Sequence, residues 1–243
     1  MTVDFDLEQR FDSATEALDL SFSEMKAQLG YDLSGLADLS YKHFVLGVIH
    51  GVQRVITGSN GLDAVYYEVT EEAGFLLSAS AQRHPEAAEI AMEICASNNS
   101  AGKVLPESLR PLAASFIRGD APVAKQPGKP ISTGFVERFI LYDAVLYVRD
   151  AFGLKIARSG GEESLSACDA VSMVARLHGL ELPYTRLRDW CQSPKSAQFR
   201  RKADALSNHL KDAFLLEIGV LKRESVYGPL RGMLRLPVQN EPH

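Results

Sequence analysis

Cysteine is scarce in this sequence. Cys95, Cys168 and Cys191 stand far apart among 243 residues, and no two of them share a CxxC spacing. An odd, dispersed set argues against a disulfide framework and fits reduced thiols in a cytoplasm, which is the expected location. Long apolar runs are missing too. The best stretch, "FILYDAVLYV" (139–148), falls short of the roughly 18 residues a membrane span needs and is broken by Asp143, so no membrane association is expected. The opening "MTVDFDLEQRFDS" is acidic and has no apolar centre, so no secretory signal is expected either.

Motifs that carry chemistry are equally thin. Gly102-Lys103 lies in "NNSAGKVLP", but a phosphate loop needs Gly where Ser97 stands and Ser or Thr where Val104 stands. No GxGxxG follows a strand, and HExxH and GxSxG are absent. His43 and His50 lie seven apart, on one helix face, without a carboxylate at ligand spacing, and read as partly buried helix histidines. Cys168, His178 and Cys191 are one ligand short of a structural zinc site, so the two cysteines read as small buried thiols. Glu71–Glu72 and Glu162–Glu163 are adjacent pairs that point to different helix faces. No catalytic, cofactor-binding or metal-ligating residues are assigned, and nothing argues for an enzyme.

What the chain does have is a division of charge. Residues 1–100 hold sixteen Asp and Glu against five Lys and Arg, whereas residues 101–243 hold fifteen against twenty-one. The basic half could face an acidic partner, or both halves could simply be solvated.

It also has helical period almost throughout. Phe5, Leu7, Phe11, Ala14, Leu18, Phe22, Met25 and Leu29 recur at three- and four-residue spacings and predict one apolar helical stripe. Further helices are predicted over 36–58, ended by "GSNG" (58–61), then over 62–84, over 85–97 with Pro85 at a first helical position, and over 106–119, where Pro111 delays or kinks the start. "GDAPVAKQPGKPIST" (119–133) reads as a linker, with Lys125 and Lys129 either touching phosphate or keeping it soluble. "GFVERFILYDAVLYVRDAFG" should be a central buried helix capped by Gly153, and Ser164 or Ser166 should cap the next. Residues 194–224 predict the longest helix, and the tail 230–243 should fray. No segment alternates with period two for long enough to claim a strand. The expected fold is all-α with about nine helices, in an acidic unit (1–118), a linker (119–133) and a C-terminal unit (134–243).

"SACDAVSMVARLHGLELPYTRLRDWCQS" (166–193) has the layout of a helix-turn-helix, within a corner placed at 164–193. Ala175 lies four residues before Gly179, Val171, Val174 and Leu180 supply the inner side, and Leu187 and Trp190 can seat the second helix. Trp190 is expected to be buried and to hold 183–193 against the preceding helix. Tyr184, Thr185, Arg186, Arg188 and Gln192 remain for an outer face, and Arg200, Arg201 and Lys202 follow in "FRRK"; these eight are the candidate nucleic-acid-binding residues. Against this, the turn "GLELP" is about two residues longer than the compact form, and Glu181 and Asp189 oppose phosphate. His178 also stands where an apolar residue is usual.

Over about residues 104–193 the order of "LPESLRPLAASFIRG", linker, "ERFILYDAVLYVRDAFGLKIAR" and "SACDAVSMVARLHGLELPYTRLRDWCQ" resembles uncharacterised proteobacterial and prophage-associated helical proteins. The resemblance implies a shared module and a bacterial or phage setting, but no mechanism.

Two readings stay open. One is a DNA-binding regulator that reads double-stranded DNA through 166–202, with the acidic N-terminal helices serving a protein partner or homo-oligomerisation. The other is a non-enzymatic helical protein-interaction module with no nucleic-acid binding. The direction of Arg186, Arg188, Arg200, Arg201 and Lys202 discriminates them: one shared exposed face favours DNA, and dispersal or pairing with carboxylates favours the module.

Overall fold

The apolar stripe of the first segment is what organises its surroundings. In the computed structural model, which describes residues 5–29, 32–45, 52–59, 62–121, 134–158 and 165–220, helix α1 (Phe5–Leu29) runs unbroken and buries Phe11, Ala14, Leu18, Phe22 and Met25. The fold is predominantly α-helical. Among the described residues, eight helices of two or more turns stand beside a one-turn helix and a single two-stranded hairpin: α1, α2 (Tyr41–Phe44), β1 (Gln53–Ser59), β2 (Leu62–Glu68), α3 (Glu71–Ala81), α4 (Pro85–Ser100), α5 (Arg110–Arg118), α6 (Phe135–Phe152), α7 (Ala167–Leu177), α8 (Tyr184–Gln192) and α9 (Ala197–Val220). Helix α9 is described over 24 residues to Val220, and the expected end of the last helix, 221–224, lies outside the described residues.

The helices fall into two compact units built from non-consecutive segments. The first gathers α1, α6, α7, α8 and α9 through Lys211. Here the structure departs from the expected N-terminal unit, because the stripe of α1 is covered by α6 and α7 rather than by the helices that follow it in sequence. The expected linker lies mostly outside the described residues. In α6, eleven of eighteen residues are buried, including Asp143, and Gly153 (φ 67°) ends the helix with its N–H donating to the Arg149 carbonyl at 3.0 Å. Phe135 and Phe139 of α6 stack at 6.3 Å, and Phe199 of α9 meets Phe135 at 5.8 Å, Tyr142 at 5.5 Å and Trp190 of α8 at 6.4 Å. This aromatic group ties α6, α8 and α9 together.

The second unit holds α2, the hairpin, α3, α4, α5 and α9 from Asp212. The hairpin overturns two helix expectations, those over 36–58 and 62–84. Within the described part of the first, the end of a 3₁₀ turn (Gly35–Ala37) and the short α2 precede strand β1, and the second begins as strand β2. The pairs Val55–Tyr66 and Ile56–Val65 put β-branched and aromatic residues opposite one another, where such residues pack well across strands. Ser59 pairs with Leu62, and the two residues between them in the sequence are Asn60 and Gly61, the strongest two-residue hairpin signal. His43 lies in α2, while His50 lies outside the described residues.

Polar side chains hold this unit at its joints. Asn98 of α4 brackets Tyr67 of β2: its side-chain oxygen accepts from the Tyr67 N–H at 2.8 Å and its amide donates to the Tyr67 carbonyl at 2.9 Å. The Tyr67 hydroxyl donates to Glu93, which also pairs with Lys42. Thr70 caps α3 by accepting from the Ala73 N–H at 3.1 Å. Glu71, the first residue of α3, accepts from the N–H groups of Glu107 (2.7 Å) and Ser108 (3.1 Å), where a 3₁₀ turn (Glu107–Leu109) leads into α5. Helix α5 starts at Arg110, so Pro111 falls in its first turn and the helix starts late. Gly74 faces the same turn, and a Cβ there would overlap Ser108 Oγ.

Candidate functional site

The corner between α7 and α8 is built by local chemistry. Ser166 and Asp169 form a reciprocal capping box that starts α7: the Ser166 hydroxyl accepts from the Asp169 N–H at 3.3 Å, and Asp169 accepts from the Ser166 N–H at 3.1 Å. The N–H groups of Ala167 and Cys168 donate to the carbonyls of Lys155 and Ile156. These donors, which a bare helix start would present to an anion, are therefore used within the fold. Gly179 (φ 80°) ends α7, with Leu180 N–H donating to the Ala175 carbonyl at 2.9 Å. Ser172 Oγ donates to the Leu182 carbonyl at 2.5 Å and holds the connection against the helix.

His178, out of place for a helix-turn-helix, has another task. Its Nε2 lies 2.8 Å from Asp19 Oδ1, and its ring meets Phe22 edge-on at 5.6 Å, so it docks the end of α7 on α1. Leu187 and Trp190 are the buried side of α8, as their spacing predicts. The aromatic neighbour of Trp190 is Phe199 of α9.

The eight candidate nucleic-acid residues do not form one free face. Arg200 is half-buried and donates to the carbonyls of Trp190 (3.1 Å) and Ser193 (2.8 Å), so it serves the C-terminal end of α8. Arg188 lies against Asp189 at 2.9 Å. Arg186 stacks over the Trp190 ring at 5.3 Å, and its charge acts on the half-buried Glu137, whose carboxyl burial pushes above the ordinary range. The Tyr184 hydroxyl accepts from the Arg158 N–H at 2.9 Å, and its ring lies under the Arg158 guanidinium at 4.7 Å. Thr185, Gln192 and Arg201 are exposed, and Lys202 is half-buried.

The corner does enclose a cleft. Phe11 of α1, Leu165, Met173 of α7, Pro183 and Tyr184 form apolar walls around about 490 Å³, with Arg158, Asp169, Ser172 and Arg176 at its polar edge. The edge charges are paired. Arg158 forms a fork on Asp169, with Nε 3.1 Å from both carboxylate oxygens, and Arg176 reaches Glu181 at 3.5 Å. Along the outer edge Met173 is 44% exposed and Leu177, one turn on, 71%. Sequence reading missed this cleft, since its walls come from segments distant in the chain. The one local signal was the Ser166-to-Asp169 capping spacing. Among the described residues, no group of three or more His, Cys, Asp or Glu is placed to hold a metal, and no helix is long and apolar enough to cross a membrane.

Comparison with protein-family models, curated proteins and solved structures returns no match to this chain.

Proposed function

We propose that this protein is a non-enzymatic helical interaction module that receives an apolar side chain of a partner protein in the cleft between α1, α7 and the start of α8. The observation that carries this reading is the cleft together with the exposed side of α7: Met173 stands open to solvent in the wall with Phe11, Pro183 and Tyr184, and Leu177, one turn further along α7, is exposed as well. Contiguous exposed apolar surface with a polar rim is the usual mark of a protein-binding surface. The rim is close to neutral, since Arg158 and Arg176 each face a carboxylate, so recognition rests on shape and apolar burial.

The rival reading, a DNA-binding regulator using 184–202, keeps one observation in its favour. Thr185, Arg186, Gln192 and Arg201 are exposed, and such side chains suit phosphate and base contacts. It is weakened by the tasks of Arg200, Arg188 and Tyr184 within the fold, which match the dispersal and pairing expected of an interaction module.

A photo-crosslinking side chain introduced at position 173 tests the proposal, with position 198 as an exposed control. The expected result is one discrete protein adduct from 173 and none from 198. It should resist nuclease treatment and be lost in Leu177→Glu. Equal adducts from both positions, or an adduct abolished by nuclease, would overturn the reading.

A further inference from the structure

The β1–β2 hairpin has one closed edge and one open one. In an antiparallel pair, opposite residues alternate between exchanging both backbone hydrogen bonds and turning both groups outward. Arg54–Tyr67 is an outward pair, because Asn98 takes the Tyr67 N–H and carbonyl from the far side of β2. Asn98 thus stands in for a neighbouring strand residue, and its helix, α4, packs on β2. The same alternation turns the N–H and carbonyl groups of Arg54, Ile56 and Gly58 to the outer edge of β1. No third strand lies there among the described residues. Natural edges are usually blunted by proline, bulges or several charges. β1 has no proline, its register with β2 is unbroken, and its one charged residue is Arg54, next to its start. Ile56, at its midpoint, is 56% exposed.

We infer that β1 of one copy pairs antiparallel with β1 of a second copy across a two-fold axis at Ile56, joining two hairpins into a four-stranded sheet. Outward residues must meet outward residues, so the axis could pass through any position from Arg54 to Gly58. An axis at Ile56, the midpoint of Gln53–Ser59, pairs all seven residues of both strands, and every other leaves some unpaired. It sets Ile56 against the partner's Ile56, so the two exposed side chains cover each other. It also sets Arg54 against the partner's Gly58, which has no side chain. An axis at Arg54 would instead oppose two guanidinium groups, which is unfavourable. The strand is therefore its own complement in one register. Because Asn98 and α4 lie beyond β2, they leave the approach to β1 open. The surface is separate from the α7–α8 cleft and goes beyond the function proposed for it. A strand pair of this length is a small interface, so the dimer is expected to be reversible and concentration-dependent.

Sedimentation equilibrium of the full chain, from micromolar to millimolar concentration, tests this. A monomer–dimer equilibrium is expected. Ile56→Lys and Ile56→Glu change an exposed side chain, so each should keep the wild-type circular dichroism. Each should weaken dimerisation by about tenfold or more, because it sets like charges opposite one another at the axis. An equimolar mixture of the two should dimerise more tightly than either alone, since unlike charges then meet. Leu177→Glu, in the other unit, should dimerise as wild type does. A dimer unmoved by Ile56→Lys, a dimer broken by Leu177→Glu, or a mixture no tighter than its components would each overturn the inference. So would a monomer at every concentration, which would leave the open edge to an extended peptide of another protein.

Discussion

The Arg200 guanidinium donates to the carbonyl oxygen of Trp190, closing the end of α8 from the first turns of α9. With its second bond to Ser193, this makes Arg200 a cap for backbone acceptors that α8 cannot satisfy itself. Arg200→Ala is expected to lower stability by about 1–2 kcal/mol, the cost of leaving two part-buried acceptors without a charged donor. Urea unfolding of the full chain measures it. An unchanged midpoint would return Arg200 to the pool of surface cations.

Trp190 is 8% exposed and meets both the Phe199 ring and the Arg186 guanidinium. Trp190→Ala should cost about 3–5 kcal/mol through lost contacts and the cavity left behind. Trp190→Phe should recover much of it, since the ring contact with Phe199 is partly kept. Thermal unfolding of the two variants side by side checks the order.

In the other unit, Asn98 is matched to both polar groups of the Tyr67 backbone. Asn98→Ala leaves a buried N–H and a buried carbonyl without partners and should cost about 1–3 kcal/mol for each group. Asn98→Asp keeps the acceptor but sets a buried carboxylate oxygen against the Tyr67 carbonyl, so in the neutral range it should cost at least as much as Asn98→Ala. Hydrogen exchange should report the loss at the Tyr67 amide first.

Glu71 gives the chain an acid-sensitive joint. Its bonds from the Glu107 and Ser108 N–H groups hold its carboxyl below the ordinary glutamate value of 4.5. A depressed carboxylate stabilises the fold above its unfolded value, and the contribution is lost as pH falls through the folded value. Stability measured from pH 7 downward should therefore decline through the acid range. Glu71→Gln should be less stable than wild type at neutral pH and should remove part of that decline. A variant with the same pH profile as wild type would show that the joint contributes nothing.

Helical order was legible where burial is one-sided and continuous. The stripe from Phe11 to Met25, the Gly153 stop and the Ser166 cap each follow from local spacing, and each is where that spacing puts it. The hairpin was lost because Val55, Ile56, Val65 and Tyr66 are compatible with a helical stripe when only apolar spacing is weighed. Asn60-Gly61, flanked by β-branched residues, was the stronger signal. The tasks of the arginines were not legible at all. Whether Arg200 meets a phosphate or the Trp190 carbonyl depends on how α8 and α9 lie together, and no local pattern records that. The cleft has the same character: Phe11 and Met173 share no segment, and only the packing of α1 on α7 brings them together.

The central claim is that the α7–α8 corner serves protein contact and that its cations serve the fold. Fluorescence anisotropy of a labelled random-sequence duplex, titrated with the full chain at about 50 mM salt, tests it most directly, because the phosphate term is strongest at low salt. The account predicts no saturable binding, and the same flat titration for a variant carrying Arg186→Ala and Arg188→Ala. Saturable binding that weakens steeply as salt rises, and that falls further in this variant, would contradict it.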